Sequence, residues 1–207
     1  MKALKENRAA SFVVVSAVYL AAIAVGVAVY NWLPYPWWLS LLMADVAATV
    51  LVFAFSLLFK NASVYDPYWS VQPPVILAAL GLGSGINAYG ILLLSVVSLW
   101  AIRLTANWAY TFADLTHEDW RYRMLKENTG AFYPLINFVG IHMVPTLVVY
   151  ACILPAAYAI KASVSTNVFG VLFLAVSLLA VLLQGVSDVE MHKYRKKRDG
   201  AFNRHGL

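Results

Sequence analysis

The chain has 207 residues, 62% of them hydrophobic and only 12% charged, and its mean hydropathy is +0.72. Soluble domains run closer to about 45–50% apolar and about 25% charged, so this composition excludes a soluble protein and implies an integral membrane protein. The single cysteine excludes a disulfide framework and a thiolate metal site, and the basic residues behind the net charge of +5 gather at the ends of apolar runs, where phospholipid head groups explain them better than nucleic acid does.

In chain order, apolar runs long enough to cross a bilayer, which takes roughly 20 residues, fall at 10–33, 37–59, 86–112, 132–160 and 167–189. A shorter run at 71–82 opens with Pro73-Pro74 and closes in glycines, which predicts a short or tilted helix that starts only after Pro74. Six crossings satisfy the loop charges. Lys2, Lys5, Arg8, Lys60, Arg121, Arg123, Lys126 and the basic residues after position 192 fall on one side, and the opposite connections hold only Lys161. The expected fold is therefore an all-α, polytopic transmembrane helical bundle with both termini cytoplasmic, a single transmembrane domain over 1–207 and a multi-pass place in a cell membrane, such as a bacterial plasma membrane. The 113–130 stretch, ADLTHEDWRYRMLKENTG, is expected to be a hydrophilic loop at the cytoplasmic mouth.

The stretch Tyr65-Asp66-Pro67-Tyr68-Trp69-Ser70-Val71-Gln72-Pro73 places a carboxylate, two phenols, an indole and an amide between two apolar runs. Unpaired polar groups are costly in hydrocarbon, so the cluster reads either as a site facing protein or a water-filled cavity, or as an interfacial loop whose aromatics anchor helix ends. A residue before proline is pushed out of the helical region, so Asp66 is expected at an element boundary, pointing inward, within hydrogen-bonding reach of Tyr65, Tyr68 or a polar group on the following long run. Arg103 lies well inside its apolar run with Trp100 and Asn107 on the same helical face. Its always-charged fork suits a phosphate or carboxylate, or a structural ion pair with Asp45 or Asp66. Asp45 reads as a helix–helix hydrogen-bonding group, His142 as a satisfied interior histidine, and Gln184, Asp188 and His192 as residues stepping down the last helix. No P-loop, GxGxxG, HExxH or CxxC is present, and no metal site is expected.

YDPYWSVQP, WAIRLTANWAY, LTHEDWRY and QGVSDVEMHKYRKKRDGAFNRHGL, taken together, resemble the DUF1295 family of bacterial membrane proteins, which is related to steroid 5-alpha-reductases and more distantly to isoprenylcysteine carboxyl methyltransferases. The resemblance covers the chain from about residue 10 and implies a longer protein, with the main cofactor-binding region beyond Leu207. It implies a membrane-embedded, NADPH-dependent reductase of a C=C bond in an apolar, steroid- or isoprenoid-like substrate, with weak or no NADPH binding by these 207 residues alone. Asp66, with Tyr65 or Tyr68, is implied as the acid that polarises a conjugated carbonyl, Trp100 standing where the reductases carry a tyrosine. Arg103 and Asn107, with Asn203 and Arg204, are implied near the cofactor. A methyltransferase using S-adenosylmethionine and a non-enzymatic transport or assembly protein are the other readings.

Overall fold

A computed structural model of the chain describes residues 5–197. Every regular element among them is helical: α1 Arg8–Trp32, α2 Trp37–Phe59, α3 Tyr68–Ser84, α4 Ala88–Thr111, α5 Trp120–Thr129, α6 Tyr133–Ile136, α7 Val144–Lys161 and α8 Val168–Lys197. A 3₁₀ turn, Ala62–Tyr65, precedes α3, another joins α5 to α6, and a π-helix, Asn137–Met143, joins α6 to α7. Five helical runs are long and apolar enough to cross a membrane: α1, α2, α4, the continuous stretch Trp120–Lys161, and α8. With α3 the count reaches the six expected. At 17 residues α3 spans only about 26 Å, slightly short of a typical hydrocarbon core.

Two elements differ from expectation. Helix α3 begins at Tyr68, so Pro73 and Pro74 lie inside it rather than before it. The first helical turn is set by the amides of Ser70 and Val71 bonding the Pro67 carbonyl, and the prolines then remove two amide donors without stopping the helix. The expected 113–130 loop contains α5, started by the Asp119 side chain accepting from the Arg121 amide and ended at Gly130, whose φ of +50° falls in the region that favours glycine. Helix α8 carries Asp188 and His192, as expected, and runs on to Lys197.

The chain divides into two compact units. The first comprises Met1–Gln72 and Trp108–Pro155. Its core joins Val15, Val18, Tyr19 and Ala22 of α1 to Ala48 and Val52 of α2, and both to Tyr65, Tyr68, Phe112, Tyr133 and Ile141. Small residues let α1 and α2 approach closely: a Cβ on Gly26 would sit 3.7 Å from the Ala44 carbonyl oxygen. In a membrane, where lipid tails are as apolar as leucine, such close backbone packing is a main source of helix association.

The second unit comprises Pro73–Asn107 and Ala156–Leu207. Leu77, Leu80, Ala157 and Ile160 are buried there. Two asparagines shape its helix starts: Asn87 accepts from the Gly90 amide and donates to the Val164 carbonyl, and Asn167 accepts from the Gly170 amide.

Candidate functional site

The polar stretch ahead of α3 is fixed from both sides within the first unit. At the end of α2, Lys60 adopts the left-handed conformation (φ 55°), and the Asn61 amide reaches back to the Ser56 carbonyl, a helix-ending turn that redirects the chain. The Asn61 side chain then accepts from the Ser63 amide at 2.8 Å and donates to the carbonyls of Leu115 (2.8 Å) and His117 (3.1 Å). Glu118 accepts from the Ala62 amide at 3.1 Å and pairs with Lys126 at 3.0 Å, and the Ser63 hydroxyl accepts from the Asp119 amide. The segment before Asp66 is thereby stitched to the segment leading into α5.

That stitching brings Tyr122 of α5 to Asp66. The Tyr122 phenol donates to Asp66 Oδ1 at 2.6 Å. Asp66 is partly buried, and burial pushes its carboxyl up to about 6, against the downward pull of the Tyr122 hydrogen bond and with a further upward push from the Asp119 charge. Asp119 itself is held below the usual range, chiefly by Arg121, whose Nε and terminal nitrogen grip its two oxygens at 2.9 Å each.

The two phenols expected beside Asp66 bond elsewhere. Tyr65, 1% exposed, meets the Thr146 hydroxyl at 2.7 Å, and Thr146 meets Thr49 at 3.0 Å. Tyr68 donates to Asp45 Oδ1 at 3.4 Å, and Gln72 Nε2 donates to Asp45 Oδ2 at 2.6 Å, so Asp45 does tie helices together. The reason is geometric: residues 65, 66 and 68 straddle a 3₁₀ turn and a helix start, so their side chains leave in different directions. The π-helix, a form often found at functional sites, sets His142 against this cluster with its ring centroid 4.5 Å from that of Tyr65. His142 Nδ1 contacts the Asn137 carbonyl oxygen, while buried Nε2 has no hydrogen-bond partner, so the histidine is only half satisfied.

In the second unit, Arg103 pairs with neither Asp45 nor Asp66. One terminal nitrogen donates to Asp188 and the other to Gln184 at 2.8 Å, both on α8. Asn107 accepts or donates at 2.8 Å with His192, one helical turn beyond Asp188. An open groove of about 650 Å³ runs along α4 and α8 past Arg103, lined mostly by leucine, isoleucine and valine. Arg103 and Asn107, the described residues expected to meet a dinucleotide, are each engaged by α8 and do not fit a phosphate as they stand. Asn203 and Arg204 lie outside the described residues. No group of three metal-ligating side chains occurs among the described residues.

Comparison with family models matches residues 52–207 to "Protein of unknown function (DUF1295)". The chain belongs to the DUF1295 family. The match takes in the Asp66 stretch, α4, α5 and α8, which carry every side chain of the acid pair and of the Arg103 cluster. No curated protein and no solved structure matches the chain. Tyr122 is the site residue that sequence reasoning missed; it lies in the HEDWRY motif of this DUF1295 member, but 56 positions from Asp66.

Proposed function

We propose that this DUF1295 protein is a membrane-embedded reductase of a C=C bond in an apolar, lipid-like substrate, and that Asp66 and Tyr122 form its proton-donating pair. The observation that carries the reading is the 2.6 Å contact between the Tyr122 phenol and Asp66, at an element boundary between membrane-crossing segments. Reducing a C=C bond conjugated to a carbonyl places negative charge on the carbonyl oxygen, and a positioned acid lowers that barrier. An aspartic acid with its ordinary value would be almost fully ionised at neutral pH and could give no proton. Raised to about 6, Asp66 keeps a protonated fraction near neutrality, with Tyr122 holding one oxygen so that the other can face the substrate. The membrane-crossing helices on either side suit a substrate that partitions into the bilayer. On the family resemblance the hydrogen donor would be NADPH; Arg103 and Asn107, engaged by α8, take no part in holding it here, and the proton chemistry of Asp66 stands apart from it.

The test is turnover of a lipid-like enone by the whole purified protein, not these 207 residues alone, in lipid nanodiscs supplied with NADPH. Asp66→Asn keeps the shape but removes the transferable proton, and turnover should fall about 10²-fold or more; Tyr122→Phe should also lower it and displace the pH profile. Wild-type turnover should decline as pH rises above about 6, because the protonated Asp66 is the active form. Unchanged turnover in a folded Asp66→Asn protein overturns the assignment, and binding of S-adenosylmethionine without NADPH overturns the reductase reading.

A further inference from the structure

Asp45, in the middle of α2, is 4% exposed, and among the described residues no lysine, arginine or histidine lies within ion-pair distance of it. The titratable groups that face it are phenols: Tyr68 from α3, Tyr65 from the turn before α3 and Tyr150 from α7. An isolated carboxylate in a hydrocarbon-embedded core is unfavourable by several kcal/mol. A second observation points the same way. Gln72, 7% exposed, uses its amide nitrogen on Asp45 at 2.6 Å, yet its carbonyl oxygen Oε1 is buried and accepts no hydrogen bond. A buried acceptor left without a donor costs about 1–3 kcal/mol. One proton on Asp45 removes the buried charge, and with the Gln72 carboxamide turned end for end the 2.6 Å contact becomes an O–H donated to Oε1.

The same carboxyl heads a run of hydroxyls. Tyr68 contacts Asp45 at 3.4 Å and the Thr49 side chain also reaches the Tyr68 phenol. Thr49 meets Thr146 at 3.0 Å, and Thr146 meets Tyr65 at 2.7 Å. Each hydroxyl in such a run can accept a proton on one side and release one on the other. We propose that Asp45 is a neutral carboxylic acid, an intramembrane proton-binding site, and that Tyr68, Thr49, Thr146 and Tyr65 relay its proton to and from the turn that carries Asp66. The relay moves one proton, no electrons and no heavy atoms: as Asp45 releases its proton to the Tyr68 oxygen, each hydroxyl passes its own onward, the last, on Tyr65, is taken by a water molecule admitted at that end, and the reverse passage restores the acid. This assignment does not depend on the reductase reading.

Infrared difference spectroscopy of the whole protein in lipid nanodiscs tests it directly. At neutral pH the spectrum should contain the C=O stretch of a protonated carboxylic acid that is lost in Asp45→Asn and displaced in Asp45→Glu, the second variant guarding against misfolding of the first. On transfer to D₂O that band should shift as the acid exchanges. Thr146→Val keeps the branched shape but removes the middle hydroxyl, and exchange should slow about tenfold or more, the scale on which a positioned proton-transfer group matters. An ionised Asp45 at neutral pH, or carboxylate bands that respond to sodium instead of to D₂O, overturns the proton site. Exchange as fast in Thr146→Val as in the parent protein overturns the relay.

Discussion

Asp66 is the residue at which local geometry and chemistry meet. It sits at an element boundary with helical backbone angles (φ −52°, ψ −45°) in spite of Pro67, Tyr122 anchors one oxygen, and burial favours its neutral form. That preference makes stability depend on pH with a definite sign. The folded-state value of about 6 lies above the ordinary 3.8, so the folded state holds the proton more tightly than the unfolded chain. The resulting stabilisation is complete below about pH 4 and is lost as pH rises through about 6, amounting to at most about 3 kcal/mol. Thermal unfolding in detergent across this range should therefore give a midpoint that falls with rising pH, and Asp66→Asn should flatten the curve; an equally steep curve in the variant would assign the pH dependence to another group. The boundary position of Asp66 was legible in the sequence, but not for the reason expected: the residue keeps the helical backbone angles that a following proline disfavours, and the boundary comes from the 3₁₀ turn before it. Its phenol was not legible, because Tyr65 and Tyr68 are near in sequence but leave in other directions, and Tyr122 arrives from α5.

At the scale of elements, the charge-rich 113–130 stretch shows why low hydropathy is a poor guide to helicity. Asp119 and Gly130 are ordinary start and stop signals, with the ten residues of α5 between them, and they outweigh the polar composition there. Arg103 shows a different limit. Its functional or structural engagement was legible from its position inside an apolar run, but hydropathy does not say which carboxylate answers it, and the partner proved to be Asp188 on α8. The link between α4 and α8 should be measurable. In a double-mutant cycle with Arg103→Gln and Asp188→Asn, thermal unfolding should give a coupling of about 1–2 kcal/mol, in the range of intramembrane hydrogen bonds, with the double variant more stable than the sum of the single losses. Additive losses would mean that the pair contributes nothing to holding the two helices together.

For the molecule as a whole, hydropathy and loop charge carried most of the fold. Every long run became a helix, because a backbone in hydrocarbon must satisfy its own hydrogen bonds and the helix does so within one segment. The orientation follows from charge alone and can be checked independently. Fusions of an enzyme active only outside the cytoplasm should be silent at positions 62, 120 and 200 and active at 34, 85 and 163; the opposite pattern would move the Asp66–Tyr122 pair to the other face of the membrane.

The π-helix Asn137–Met143 has a consequence for how this chain tolerates length changes. A π turn holds an extra residue relative to an α turn, so it behaves as an insertion absorbed without a loop. Relaxing this segment to α geometry with its residue count unchanged would turn everything beyond it by about 100° relative to Tyr133. Either Thr146 would lose Tyr65 and Thr49, or Tyr133 would leave the core it now shares with Tyr65. The wide turn is a phase adjuster: it lets one continuous helical run present two correctly aimed sets of side chains, and its π geometry is therefore as constrained as any side chain in the site.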